Sequence, residues 1–145
     1  MSKGRKREHF QWNVDIIGSD SVTAEVEVLS TAVDALRGLG LNPQQVNIFI
    51  GSRKLVGELL TATGVPQDQQ MAVFMVLDKR GKVSDAVLME MLAEAKIDST
   101  LAARIMGIFD IQGLEAAASR LPADSTAVRE LCELFAIAGK AGIAD

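Results

Sequence analysis

Between residues 8 and 17 apolar and polar side chains alternate. Phe10, Trp12, Val14 and Ile16 fall on one side, and His9, Gln11, Asn13 and Asp15 on the other. A period of two is the pattern of a half-buried strand, and a strand needs neighbours, because each edge carries a row of backbone donors and acceptors. One other segment qualifies: residues 46–50 are short, mostly apolar and β-branched, and end at Gly51 and Ser52, as a buried strand does. Two strands bury too little apolar area to stand as an independent sheet. The sequence therefore reads as holding part of a sheet, with something missing from the chain.

Most of the remaining sequence has helical period. After the turn Gly18-Ser19-Asp20-Ser21, whose side chains can cap a helix, Val22, Val26, Leu29, Val33 and Leu36 recur at spacings of four and three, stopping near Gly38 or Gly40. Helical spacing resumes over 53–63 through Leu55, Leu59 and Leu60. Gly64 and Pro66 then punctuate the chain, and further helices are expected at 66–77, 84–95, 99–109, 114–121 and 125–138. In the last of these, Leu131, Leu134, Phe135 and Ala138 form the expected buried stripe.

Hydrophobic residues make up 48% and charged residues 23%, which fits a folded chain with a core rather than a disordered one. Six Met and one Trp, with no Tyr, favour helices over strands. The formal charge of -4 is uneven: Lys3, Arg5, Lys6 and Arg7 precede the first acid, leaving eleven basic against nineteen acidic side chains beyond them. A basic start suits either a nucleic-acid arm or a solvated tail. Cys132 is the sole cysteine, so no intrachain disulfide or Cys-rich zinc site can form, and His9 has no partners at ligand spacing. A cytosolic or organellar compartment fits, and no apolar run approaches the ~20 residues of a membrane span.

The segment Gly4-Arg5-Lys6-Arg7-Glu8-His9-Phe10-Gln11-Trp12-Asn13-Val14-Asp15-Ile16-Ile17-Gly18 carries the pattern R-E-x-x-Q-x-x-x-D/E-x-x-G. It resembles the closing half of motif 2 in the histidyl-tRNA synthetases. Further matches keep their order: a helix over 22–41 ending in Leu39-Gly40-Leu41, a strand leading into Arg53-Lys54-Leu55, and the pair Asp78-Lys79 at the opening of the family's insertion. The resemblance covers the whole chain and is strongest over 4–60.

The resemblance implies an α+β fold: about two strands of the antiparallel class II synthetase sheet with packed helices over 1–63, then an all-helical insertion over 64–145. It implies that Gln11 contacts the α-amino group of histidine and that Asp15 accepts from its imidazole. Those chemistries suit an amide oxygen and a carboxylate. Pattern alone leaves the polar face open to either water or a substrate. Arg5 and Arg7 match basic positions near ATP and the tRNA acceptor end, where guanidinium groups suit phosphate. Lys79, Arg80 and Lys82 form a basic turn in a half that carries eight basic and twelve acidic side chains over 65–145. The turn is either a solvated loop or a contact for tRNA phosphate.

The expected parent is a homodimeric ligase that uses ATP and Mg2+ to join histidine to tRNA-His. Motif 1, the first half of motif 2 with its ATP-binding arginine, motif 3 and the anticodon-binding domain have no counterpart in these 145 residues. The chain alone is expected to be inactive, to hold no metal or complete catalytic site, and to self-associate through unpaired strand edges. Two other readings stay open: a regulatory paralogue, such as the histidine-binding subunit of ATP phosphoribosyltransferase, and a stand-alone helical interaction module.

Overall fold

The computed structural model describes residue 8 and residues 10–143. Seven helices follow one another: α1 (Val22–Gly38), α2 (Arg53–Thr63), α3 (Gln67–Leu77), α4 (Asp85–Glu94), α5 (Ser99–Met106), α6 (Leu114–Ala118) and α7 (Thr126–Lys140). Two compact units are formed. One comprises the chain up to Ile48 together with the part from Cys132 onward; the other is Phe49–Leu131.

The larger unit is built around one hydrophobic core. α3 packs on α4, α4 on α5, and α2 on both α3 and α5. Between them lie Leu60, Val73, Leu88, Leu92 and Ile105, all essentially without solvent contact. Each such side chain contributes roughly 1.5–3 kcal/mol by leaving water. The helix ends follow local chemistry. Ser52 Oγ accepts the Leu55 N–H at 3.1 Å, and Asp98 Oδ1 accepts the N–H groups of Thr100 and Leu101 at 2.9 Å each. Gly64 closes α2 at φ 97°, a left-handed conformation that costs glycine little, and Val65 N–H returns to Leu60 O at 2.9 Å.

In the smaller unit, Ser21 caps α1 by accepting the Ala24 N–H at 3.2 Å. Among the described residues Val26, Leu134 and Ala138 are its buried apolar side chains. Arg37, in the last turn of α1, donates through Nη2 to Gly142 O at 2.8 Å.

The expected antiparallel sheet is not formed. Among the described residues there is no strand, and the one β feature is an isolated parallel bridge between Arg80 and Val83. Residues 10–17 and 46–50 lack regular structure, and among the described residues no backbone hydrogen bond involves either segment. The cause is physical. Alternation decides which side chains share a face, but a strand exists only when a second backbone completes its ladder. Consequently the side chains expected to be half-buried face water: Phe10, Trp12, Ile16 and Phe49 are all exposed, and only Val14 of the alternating apolar set is partly covered.

The stripe of α7 is also narrower than its sequence suggests. Leu134 and Ala138 are buried and Leu131 is partly buried, but Phe135 is exposed. One residue on from Leu134, it sits about 100° round the helix.

Candidate functional site

Gln11 and Asp15 lie in the stretch without regular secondary structure ahead of α1, and both are exposed. Gln11 Nε2 donates to Asn13 Oδ1 at 3.0 Å. That bond across i and i+2 brings the Gln11 and Asn13 side chains together; alternation would add Asp15 to the same side only if the backbone were extended. Their Cα atoms are about 13 Å apart if the segment is fully extended. Among the described residues the bond to Asn13 is the one side-chain hydrogen bond of Gln11, and both Gln11 and Asp15 face solvent. Arg5, Arg7 and His9 lie outside the described residues.

The basic turn behind α3 is ordered by its own backbone. Lys79 N–H bonds Val76 O at 2.9 Å, Arg80 N–H bonds Leu77 O at 3.0 Å, and Gly81 takes φ 74° where the chain reverses. The three cations then part company. Arg80 Nη1 donates to Phe109 O at 2.8 Å, and its guanidinium lies 4.2 Å from the centre of the Phe109 ring. Lys82 Nζ donates to Asp78 O at 3.1 Å. The Lys79 side chain is exposed and forms no hydrogen bond or ion pair among the described residues. Arg80 is thus a clasp between the α3–α4 turn and the turn after α5, a role its sequence context did not signal.

A second feature missed by sequence reasoning is a groove of about 620 Å³ between α2 and the start of α7, lined by Lys54, Glu58, Thr61, Gln70, Asp124 and Ser125 among others. Its charged groups are mostly spoken for. Glu58 Oε2 receives the Ser125 hydroxyl, Glu58 Oε1 accepts the Ala127 N–H at 3.1 Å, and Lys54 Nζ pairs with Glu130 Oε1 at 2.5 Å. The helix start at Ser125 was legible; the partner of its side chain, 67 positions away, carried no local signal.

Among the described residues no three His, Cys, Asp or Glu side chains converge to hold a metal ion. No described helix is long and apolar enough to cross a membrane.

A family model described as histidyl-tRNA synthetase matches residues 1–144. The chain is 32% identical over its whole length to the chloroplastic/mitochondrial histidine-tRNA ligase of Arabidopsis thaliana, of which it covers 30%. It is 39% identical over 105 residues, 72% of its length, to histidine-tRNA ligase 2 of Shouchella clausii, covering 24% of that protein. It is 33% identical over 110 residues, 76% of its length, to the histidine-tRNA ligase of Pyrococcus abyssi, covering 25% of it. The chain belongs to the histidyl-tRNA synthetase family. It spans under a third of the length of these curated relatives.

Proposed function

We propose that this chain serves as part of a histidine-tRNA ligase, which activates histidine with ATP and transfers it to tRNA-His. Residues 1–63 contribute to amino-acid binding, and 64–145 form a helical insertion. Gln11 accepts from the substrate ammonium, and Asp15 accepts an imidazole N–H and so fixes the ring's tautomer. The carrying observation is the family match over residues 1–144 together with the similarity to histidine-tRNA ligases along the whole chain; the exposure of Gln11 and Asp15 ahead of α1 is compatible with the reading. The similar proteins named above are ligases rather than regulatory subunits, which favours charging over regulation.

Arg5 and Arg7 would meet ATP or the acceptor end of the tRNA, and Lys79 and Lys82 would add a minor phosphate contact. Arg80 contributes less, because its guanidinium is held by Phe109. Alone, the chain does not aminoacylate. Adenylate formation needs α-phosphate and carboxylate held together among cations, and a displayed amide and carboxylate do not supply that field. ATP and Mg2+ belong to the larger assembly, as does a homodimeric state.

The test is calorimetric titration with histidine of this chain and of a ligase that contains it, with Asp15→Ala and Gln11→Ala in the latter. The chain alone should give no saturable heat. In the ligase each substitution should weaken histidine binding by about tenfold or more, the scale of one buried charge-assisted hydrogen bond. Unchanged affinity in Asp15→Ala would refute the assignment.

A further inference from the structure

α3 is a two-sided helix with an unusual outer face. Val73 and Val76 are buried, whereas Met71 and Met75 are each 65% exposed. Methionine is among the residues most often found inside, and it packs adaptably where it is found on a surface. At about 100° per residue, Asp68, Met71, Met75 and Lys79 fall within an arc of about 80°, opposite the buried Val73, with Val76 to one side. Lys79 lies just past the end of α3, but its N–H still bonds Val76 O at 2.9 Å, so the helical course reaches it. Neither Asp68 nor Lys79 has a side-chain hydrogen bond or ion pair among the described residues.

The stripe therefore reads acid, apolar, apolar, base, and it is nearly symmetric about its midpoint near Val73. Reversing its direction and laying it on itself puts Asp68 against Lys79 at one end, Lys79 against Asp68 at the other, and the methionines between them. The two charges are about 16 Å apart along the axis. They lie on the same edge of the stripe, and in an antiparallel pair same edges meet. Asp78, on the opposite edge, falls near Gln67 of the other copy and meets no like charge.

From this self-complementarity we infer that the outer face of α3 docks a second copy of this chain, antiparallel, through a two-fold axis near Val73. Two-fold association is the commonest form of self-assembly, and it requires one patch to complement itself. One helix pair of this length buries well below the ~1,200 Å² of a standard interface, so the dimer is weak and concentration-dependent. Lys79 also belongs to the turn proposed to meet phosphate, so tRNA would compete with this dimer. The methionines and Asp68 carry no such second role.

Sedimentation equilibrium on the whole chain over a wide concentration range tests this, with circular dichroism to verify that each variant folds. The native chain should show a monomer–dimer equilibrium. M71E/M75E should be monomeric throughout with unchanged helix content. D68K and K79D should each weaken dimerisation by about tenfold or more, since the dyad turns two attractions into two repulsions. The double variant D68K/K79D should recover the native affinity. A native chain that stays monomeric overturns the inference. So does a dimer indifferent to M71E/M75E, which would place association on the extended segments instead, and so does a double variant no tighter than the singles.

Discussion

The Glu58 carboxylate on α2 caps a helix that begins almost seventy residues later: it accepts the Ser125 hydroxyl on one oxygen and the Ala127 N–H on the other. Ser125 in turn accepts the Val128 N–H at 3.1 Å. Two of the first free N–H groups of α7 are thereby satisfied, and a negative charge stands at the positive end of its dipole.

Replacing Glu58 should therefore loosen α7 as well as α2. Glu58→Ala removes both acceptors and should cost about 1–2 kcal/mol, the scale of a lost cap. Glu58→Gln keeps one acceptor but not the charge and should fall between. Urea denaturation followed by circular dichroism checks the ordering, and equal stability of all three proteins would show the cap to be inert.

The Arg80 clasp on Phe109 combines ring stacking with a charge-assisted bond to a carbonyl. Arg80→Lys retains the positive charge but loses the planar fork and should destabilise by about 1 kcal/mol. Lys82→Ala, which removes only an exposed bond to Asp78 O, should change stability little. If thermal melts ranked the two substitutions the other way, the clasp would not be structural.

At Gly64 the strain of a side chain can be separated from its bulk. A Cβ there would lie 3.9 Å and 4.0 Å from the Arg104 guanidinium nitrogens, ordinary contact distances. The cost of Gly64→Ala is then conformational, about 1 kcal/mol for a left-handed φ. A loss of several kcal/mol in chemical denaturation would mean a clash that the geometry does not contain.

Burial predicts an inversion of size. Leu92 is fully buried and Phe135 is 46% exposed. Leu92→Ala should cost about 2–5 kcal/mol, and Phe135→Ala should cost less although it deletes more atoms. Midpoints of paired denaturation curves decide the order.

The helices were legible because their information is local. Leu55, Leu59 and Leu60 announce a period, Gly64 a stop, and Ser21 a start, all within a turn or two of the element they govern. The strands were not, because Phe10, Trp12, Val14 and Ile16 specify a face and say nothing of who lies beside it. The same division holds at the candidate site. The spacing of Gln11 and Asp15 was readable, while Arg80 on Phe109 and Glu58 on Ser125 join residues 29 and 67 positions apart and left no trace in pattern. Phe135 fell between the two cases: its period is helical, but its azimuth on α7 is marginal, and only packing decides such a position.

The sole tryptophan of the chain, Trp12, projects into solvent from the unladdered stretch before α1, and there is no tyrosine. Intrinsic fluorescence is thus a reporter that already faces water in the folded chain. Melting of the core would leave it almost dark to the event, while any partner that lays a backbone or an apolar surface along residues 10–17 would shift its emission toward the blue with no helix changed.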